Sequence, residues 1–119
     1  AARRLASERC QQILSDFPTP DGRPLTAGLE TLRVDIQEYL RLVLFEDGSQ
    51  HQSCANSLAY TPPGSRVVFV CVPAIERSWR INPDHVVFTL IHETLHTLGL
   101  GENPPSSLEI THRVRLRCG

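Results

Sequence analysis

The fold of this 119-residue chain is decided by the stretch 86-VVFTLIHETLHTLGL-100. No helix-breaking residue occurs in it before Gly99, and glycine commonly follows the last residue of a helix. Just ahead of the stretch, Asn82 is a favourable N-cap and Pro83 suits the first helical position. We therefore predict a single buried helix over residues 83–98.

Two histidines and a glutamate on this helix have the spacing of a metal site. His92 and His96 are four residues apart, so their side chains stack on one helix face about 6 Å apart, and zinc binds neutral imidazole nitrogens at about 2.0–2.1 Å. Glu93 is rotated by about 100° from His92, which places its carboxylate beside the metal, where it can take a proton from zinc-bound water. Burying these polar groups in so apolar a helix is costly unless a partner such as a metal ion compensates. We predict His92 and His96 as Zn2+ ligands and Glu93 as the catalytic base.

The segment 92-HETLHTLGLGE-102 resembles the active-site helix of the zincin metallopeptidases, especially the metzincins and, among them, the matrixins, whose motif is HExxHxxGxxH. The resemblance implies a sharp turn at Gly99 that brings a third zinc ligand to the metal. That position is Glu102 here, a carboxylate where the family has histidine, and glutamate is a competent zinc ligand. The chain has no methionine, so it departs from the family in lacking the methionine turn.

A second resemblance covers the residues ahead of this helix. Cys54, residues 58–63 and residues 70–73 are similar to the deuterolysin (aspzincin) pattern, in which a disulfide-bracketed hairpin precedes the active-site helix. That family takes an acidic third ligand from the start of the next helix, within a GTxxD-type motif that is missing here, and gluzincins also use a glutamate on a later helix. The corresponding residue in this chain is Glu109.

Glu102 and Glu109 therefore compete as the third ligand. Glu109 also fits a capping box that begins at Ser106, in which its carboxylate would fold back onto the helix start. Glu102 could equally be a solvated loop carboxylate. The spacing from Gly99 favours Glu102, and Glu109 is the alternative.

The number and spacing of the cysteines indicate whether the protein resides in an oxidising compartment. There are four of them and no C-x-x-C pair, which argues against a cysteine-based zinc site. An even number in a small chain favours two disulfides and an oxidising compartment, and four buried thiols are the alternative. Of the three possible pairings we prefer Cys54–Cys71, around a hairpin, and Cys10–Cys118, between the termini. We expect a secreted or periplasmic protein whose leader has been removed.

The length of the chain predicts one domain, residues 1–119, and the predicted elements place it in the α+β class. The other periodic segments indicate, in chain order, a helix, a strand, a hairpin, a short helix or turn, and a closing helix: residues 3–16, 29–46, 57–72, 74–80 and 107–117. This is a small zincin-like arrangement with a mixed or antiparallel sheet. Within 29–46 a strand is favoured, although residues 40–45 could instead form a short helix. Trp79 is expected in the core or in a cleft wall. His85 lies too far from His92 to share its ion and is expected at the surface, although it could line the cleft.

Composition narrows the classes of function. Hydrophobic residues make up 40% of the chain and charged residues 21%, and the net charge is −1. These values are typical of a globular protein and give no excess of basic residues for binding nucleic acid. No apolar run approaches the length of a membrane span.

We expect a monomer that acts on a peptide or protein. The predicted function is zinc-dependent peptide-bond hydrolysis by a metalloendopeptidase. The alternatives are a non-catalytic, zinc-stabilised secreted or envelope domain with a binding role, and a helix that binds no metal.

Overall fold

The computed structural model describes residues 2–62 and 65–119 and shows an α+β fold. Its helices are α1 (Ala2–Leu5), α2 (Glu8–Gln11), α3 (Ile13–Asp16), α4 (Thr26–Leu32), α5 (Ile36–Leu42), α6 (Val72–Ile81), α7 (Pro83–Thr97) and α8 (Ser107–Cys118). Its strands are β1 (Leu44–Asp47), β2 (Ala59–Tyr60) and β3 (Val67–Val70), with a short 3-10 turn at Gln52–Ala55.

Helix α7 confirms the central prediction to within one residue at its C-terminus. The Asn82 side chain accepts a hydrogen bond from the backbone N–H of His85 and so caps the first turn. Gly99 ends the helix with a φ of +105°, a conformation that glycine adopts without the penalty that a Cβ would bring. The N–H of Leu100 then donates to the carbonyl of Leu95, which satisfies one of the last free carbonyls of the helix.

The sheet has three strands in the order β1-β3-β2, with β3 in the centre. Strand β2 pairs antiparallel with β3, so the predicted hairpin is confirmed, although its turn at Pro63 and Gly64 lies outside the described residues. Strand β1 pairs parallel with β3, which makes the sheet mixed. Helix α7 packs against β2, β3, α6 and α8, so it lies at the centre of the fold.

The prediction of one N-terminal helix over residues 3–16 is wrong. The segment forms three short helices. The break between α1 and α2 lies at Ser7, which adopts an extended conformation and whose hydroxyl accepts a hydrogen bond from the N–H of Cys10. Such a cap starts a new helix where periodicity alone predicts that the first one continues. The apolar residues that the pattern identified are nevertheless buried, with Leu5, Ile13 and Leu14 all in the core.

The prediction of a strand over residues 29–46 is also wrong for most of its length. Helix α4 ends at Arg33, which has a left-handed φ of 55°, and α5 starts at Asp35 with a capping box that includes Glu38. The alternating residues of the sequence therefore span a helix end and the next helix start. Only Leu44–Asp47 forms a strand.

The predicted short helix and closing helix are present as α6 and α8. Trp79 on α6 is 55% exposed, so its placement in the core is wrong, and it is not among the residues that line the cleft described below. Among the residues that the structure describes, no helix combines the length and apolar character needed to span a bilayer.

Both preferred disulfides are present. Cys10–Cys118 joins α2 to the end of α8, and Cys54–Cys71 joins the 3-10 turn to the residue that precedes α6. Two disulfides in a chain of this size fit an oxidising, extracellular-type environment. They also tether two of the segments that enclose the site described next.

Candidate metal centre

A cleft of about 540 Å³ runs along α7. Its floor is the face of α7 that carries His92, Glu93 and His96. One wall comes from residues 53–61, and the other from α8 and the turn that follows α7, which contribute Ser107, Thr111, Leu100, Gly101 and Glu102. The histidine–glutamate motif is therefore open to a ligand from the cleft and not sealed in the core.

The two histidines direct the same ring atom toward one point. Nε2 of His92 lies 3.1 Å from Nε2 of His96. Two nitrogens bound to one tetrahedral zinc ion at about 2.0–2.1 Å would lie about 3.3 Å apart. The helix alone therefore places both donor atoms at nearly the separation that a shared ion requires.

The other nitrogen of each ring is held by a neighbour. Nδ1 of His96 lies 2.8 Å from the carbonyl oxygen of Leu100, and because a carbonyl only accepts, Nδ1 carries the hydrogen and Nε2 keeps a lone pair. Nδ1 of His92 lies 3.0 Å from the hydroxyl of Thr111. Partners of this kind orient metal-binding imidazoles in proteins.

Burial keeps His92 in the neutral form that a metal ligand needs. The side chain is 7% exposed, and this burial, with a smaller effect of nearby His96, lowers the pKa of His92 to about 4. His96 is partly buried. When the Thr111 hydroxyl donates to Nδ1 of His92, the N–H of His92 is on Nε2 and bridges to Nε2 of His96; when that hydroxyl accepts from Nδ1, the lone pairs of both Nε2 atoms are free for a shared cation. The donor set therefore fits a bound metal ion.

Glu93 is the third member of the cluster. It is 7% exposed, and its burial raises the pKa of its carboxyl to about 7, an effect that the hydrogen bond from Thr61 reduces and the charge of Glu102 increases. The hydroxyl of Thr61 lies 3.3 Å from Oε1 and 3.4 Å from the backbone carbonyl oxygen of Glu93. A carboxyl with a pKa near neutrality is suited to both accepting and returning a proton.

The structure does not bring either candidate third ligand into this cluster. Ligand atoms of His92, Glu93 and His96 all lie within 4.8 Å of one another, and within residues 2–62 and 65–119 neither Glu102 nor Glu109 joins them. Glu102 is exposed and lines the same cleft. Glu109 is exposed on the first turn of α8, where its N–H donates to the Ser106 hydroxyl and its Oε1 lies 3.3 Å from that hydroxyl. This is close to the capping contact that the sequence indicates.

Three contacts at the site have no counterpart in the sequence prediction. They are made by Thr61 in a loop, by the carbonyl of Leu100 in the turn after α7 and by Thr111 on α8. Thr61 and Thr111 are far along the chain from their partners, and the Leu100 contact depends on the geometry of a turn, so none of the three leaves a periodic pattern in the sequence. His85 also lines the cleft, the less favoured of its two expected roles.

Comparisons with protein-family models, with curated proteins and with solved structures find no match to this chain. Its function must therefore be inferred from the geometry and chemistry of the site.

Proposed function

We propose that the protein is a zinc-dependent metallopeptidase that hydrolyses peptide bonds in the cleft along α7. The observation that carries the proposal is the 3.1 Å separation of the His92 and His96 Nε2 atoms beside a buried Glu93 carboxyl with a pKa of about 7. A metal-binding pair next to a proton acceptor is what metal-assisted hydrolysis requires.

Zinc is the metal that the donors favour. Two imidazole nitrogens with a carboxylate nearby suit zinc, whereas calcium and magnesium prefer oxygen ligands. We propose Glu102 as the third ligand, because it lines the cleft and follows the turn at Gly99, and Glu109 as the alternative. The disulfides support a secreted or periplasmic setting, in which such a peptidase would meet its substrates.

A bound zinc ion supplies Lewis-acid chemistry, since it polarises a carbonyl group and lowers the pKa of water. Glu93 accepts the proton of the attacking water and passes it to the amine that leaves. Thr61 orients the Glu93 carboxyl by donating to it. The Leu100 carbonyl and Thr111 hold the two imidazole rings with Nε2 facing the cleft.

One observation favours a second candidate function. Glu93 itself lies within the 4.8 Å cluster, so its carboxylate could bind the metal directly. The site would then have no free base, and the protein would be a zinc-stabilised binding domain without peptidase activity.

The variant Glu93→Gln separates the two candidates. If Glu93 is the base, the variant keeps one zinc ion per chain, while cleavage of an unfolded protein such as casein falls by about a hundredfold or more. If Glu93 is a ligand, the variant loses zinc affinity. Zinc content by mass spectrometry and cleavage with and without chelator provide the two measurements. Wild-type protein that binds zinc and cleaves nothing would rule out the peptidase.

A further inference from the structure

The cleft extends along α7 beyond the metal cluster to His85 and Thr89. His85 precedes His92 by two helical turns, which is about 10 Å along the helix axis. At that distance its imidazole is out of reach of an ion held by His92 and His96. A different role must account for a histidine in the wall of the cleft.

Arg115 determines which hydrogen bond His85 can offer. Nη2 of Arg115 lies 3.4 Å from Nδ1 of His85, a long hydrogen bond. A guanidinium group only donates, so Nδ1 of His85 is the acceptor and the ring hydrogen is on Nε2. His85 therefore retains an N–H donor, with the positive charge of Arg115 beside it.

The charge of Arg115 has no acidic partner in the part of the chain that the structure describes. The neighbouring arginines of α8, Arg113 and Arg117, both lie within ion-pair distance of Asp16. Asp84, next to His85 in sequence, is paired with Arg4 at 2.8 Å. Arg115 itself is exposed and is not a lining residue of the cleft, which it approaches through its contact with His85. Its positive charge beside that histidine is thus left for a ligand.

We propose that His85 and Arg115 form a subsite that binds a carboxylate of the substrate. Arginine and an imidazole N–H both form charge-assisted hydrogen bonds with carboxylates. An extended peptide advances about 3.3 Å per residue, so the carboxylate belongs to a residue about three positions from the bond that is cut. It is either an acidic side chain or the C-terminal carboxylate. The position of this residue relative to the scissile bond rests on the proposed peptidase function, whereas binding of the carboxylate can be tested without that function.

Binding of labelled peptides to the zinc-loaded Glu93→Gln protein tests the subsite without catalysis. The peptides form pools of random hexamers that carry one glutamate or, in its place, one glutamine, each with a free or an amidated C-terminus. We expect the glutamate pool or the free-acid pool to bind about tenfold more tightly than its neutral counterpart. Preference for the glutamate pool identifies a side-chain carboxylate, and preference for the free acid identifies the C-terminus.

Arg115→Gln, added to this protein, should remove the preference. The matched control is Arg80→Gln, which should keep the preference. Arg80 is an exposed arginine on α6 and, unlike Arg115, has no hydrogen bond to a cleft residue in the described part of the chain. Equal binding of charged and neutral pools, no binding of any pool, or a preference that survives Arg115→Gln would each overturn the subsite. If wild-type protein cleaves no peptide but the Arg115-dependent preference is found, the peptidase proposal fails and the subsite stands.

Discussion

His92 depends on a single hydroxyl for the orientation of its ring. Its Nδ1 lies 3.0 Å from Thr111, whereas Nδ1 of His96 is fixed by a backbone carbonyl that no substitution removes. Thr111→Val keeps the size of the side chain but removes the hydrogen-bond partner. We expect zinc affinity to fall about tenfold or more, the usual cost of losing such a partner, as measured by competition with a chromophoric chelator.

The matched control for this prediction is Thr111→Ser, which keeps the hydroxyl and should keep nearly all of the affinity. A thermal melt of both metal-free variants checks that α8 still packs against α7. Equal zinc affinity of Thr111→Val and wild type would show that Thr111 does not position His92.

Glu93 should make the metal-free protein less stable at alkaline pH. Burial raises the pKa of Glu93 from 4.5 to about 7, so the folded state binds more protons than the unfolded state between these values. The stability contributed by the neutral carboxyl is full below pH 4.5 and is lost as the pH rises through 7. A shift of this size corresponds to about 3 kcal/mol.

The variant Glu93→Gln tests this pH dependence of stability, because its amide is neutral at every pH. In the presence of chelator, the free energy of unfolding of the variant minus that of wild type should rise by about 2.5 kcal/mol between pH 5 and pH 8. His92 titrates in both proteins, so most of its effect cancels in the difference. A difference that is the same at both pH values in urea titrations would contradict the buried position of Glu93.

At the residue scale, the cluster of His92, Glu93 and His96 could be predicted because its members lie on one helix at a fixed spacing. Nothing in the sequence indicates which residues of other segments complete the site. Thr61 and Thr111 contact Glu93 and His92 only after the chain has folded. The third ligand remains a prediction for the same reason, since Glu102 lies in a turn and Glu109 in another helix.

Among the elements, the turn that ends α7 depends on its glycine. Gly99 has a φ of +105°, and an added Cβ would lie 3.2 Å from the Thr19 side chain. We expect Gly99→Ala to lower the free energy of unfolding by about 1–3 kcal/mol. The carbonyl of Leu100 follows this turn, so zinc affinity should fall as well.

Gly28→Ala is the matched control. Gly28 lies within α4, and an added Cβ would make an ordinary contact of 3.4 Å with Leu98. Alanine is the better helix former, so this variant should be as stable as wild type or more stable. Urea titration measures the free energy of unfolding of both variants. A Gly99→Ala protein with unchanged stability would contradict the described turn.

The elements differ in how well their sequences predict them. Helix α7 has a capping asparagine, a proline at its start and a glycine after its end, so local signals and tertiary packing agree. Residues 29–46 alternate like a strand, but the capping box at Asp35 starts a helix within them. Short helices separated by caps cannot be predicted from hydrophobic periodicity, because each helix is shorter than the window in which a period can be recognised.

For the molecule as a whole, the two disulfides close loops of very different length. The paired cysteines are 108 residues apart for Cys10–Cys118 and 17 apart for Cys54–Cys71. Loop-closure entropy gives about 4–5 kcal/mol for the longer loop and about 3 kcal/mol for the shorter one. We therefore expect the double variant Cys10→Ser/Cys118→Ser to lose more stability than Cys54→Ser/Cys71→Ser.

Urea titration of the two double variants measures this order. The first variant also frees α8, which carries Thr111, so its zinc affinity should fall together with its stability. The reverse order of stabilities would indicate that the Cys10–Cys118 disulfide constrains the unfolded chain less than the length of the loop it closes implies.

The fold class could be predicted at this scale, and of the three pairings that four cysteines allow the two preferred bridges are the ones present. The parallel pairing of β1 with β3 could not be predicted, because the alternation of residues 29–46 predicts one long strand where only Leu44–Asp47 is extended. The shape of the cleft could not be predicted either, since its walls come from three separate segments.

The most direct test of the account is a zinc titration of the metal-free protein and three histidine variants. We predict one tightly bound zinc ion per wild-type chain, loss of tight binding in His92→Ala and in His96→Ala, and unchanged binding in His112→Ala, an exposed histidine on α8. Tight zinc binding that survives removal of both His92 and His96, or a wild-type protein that binds no zinc at neutral pH, would contradict the account.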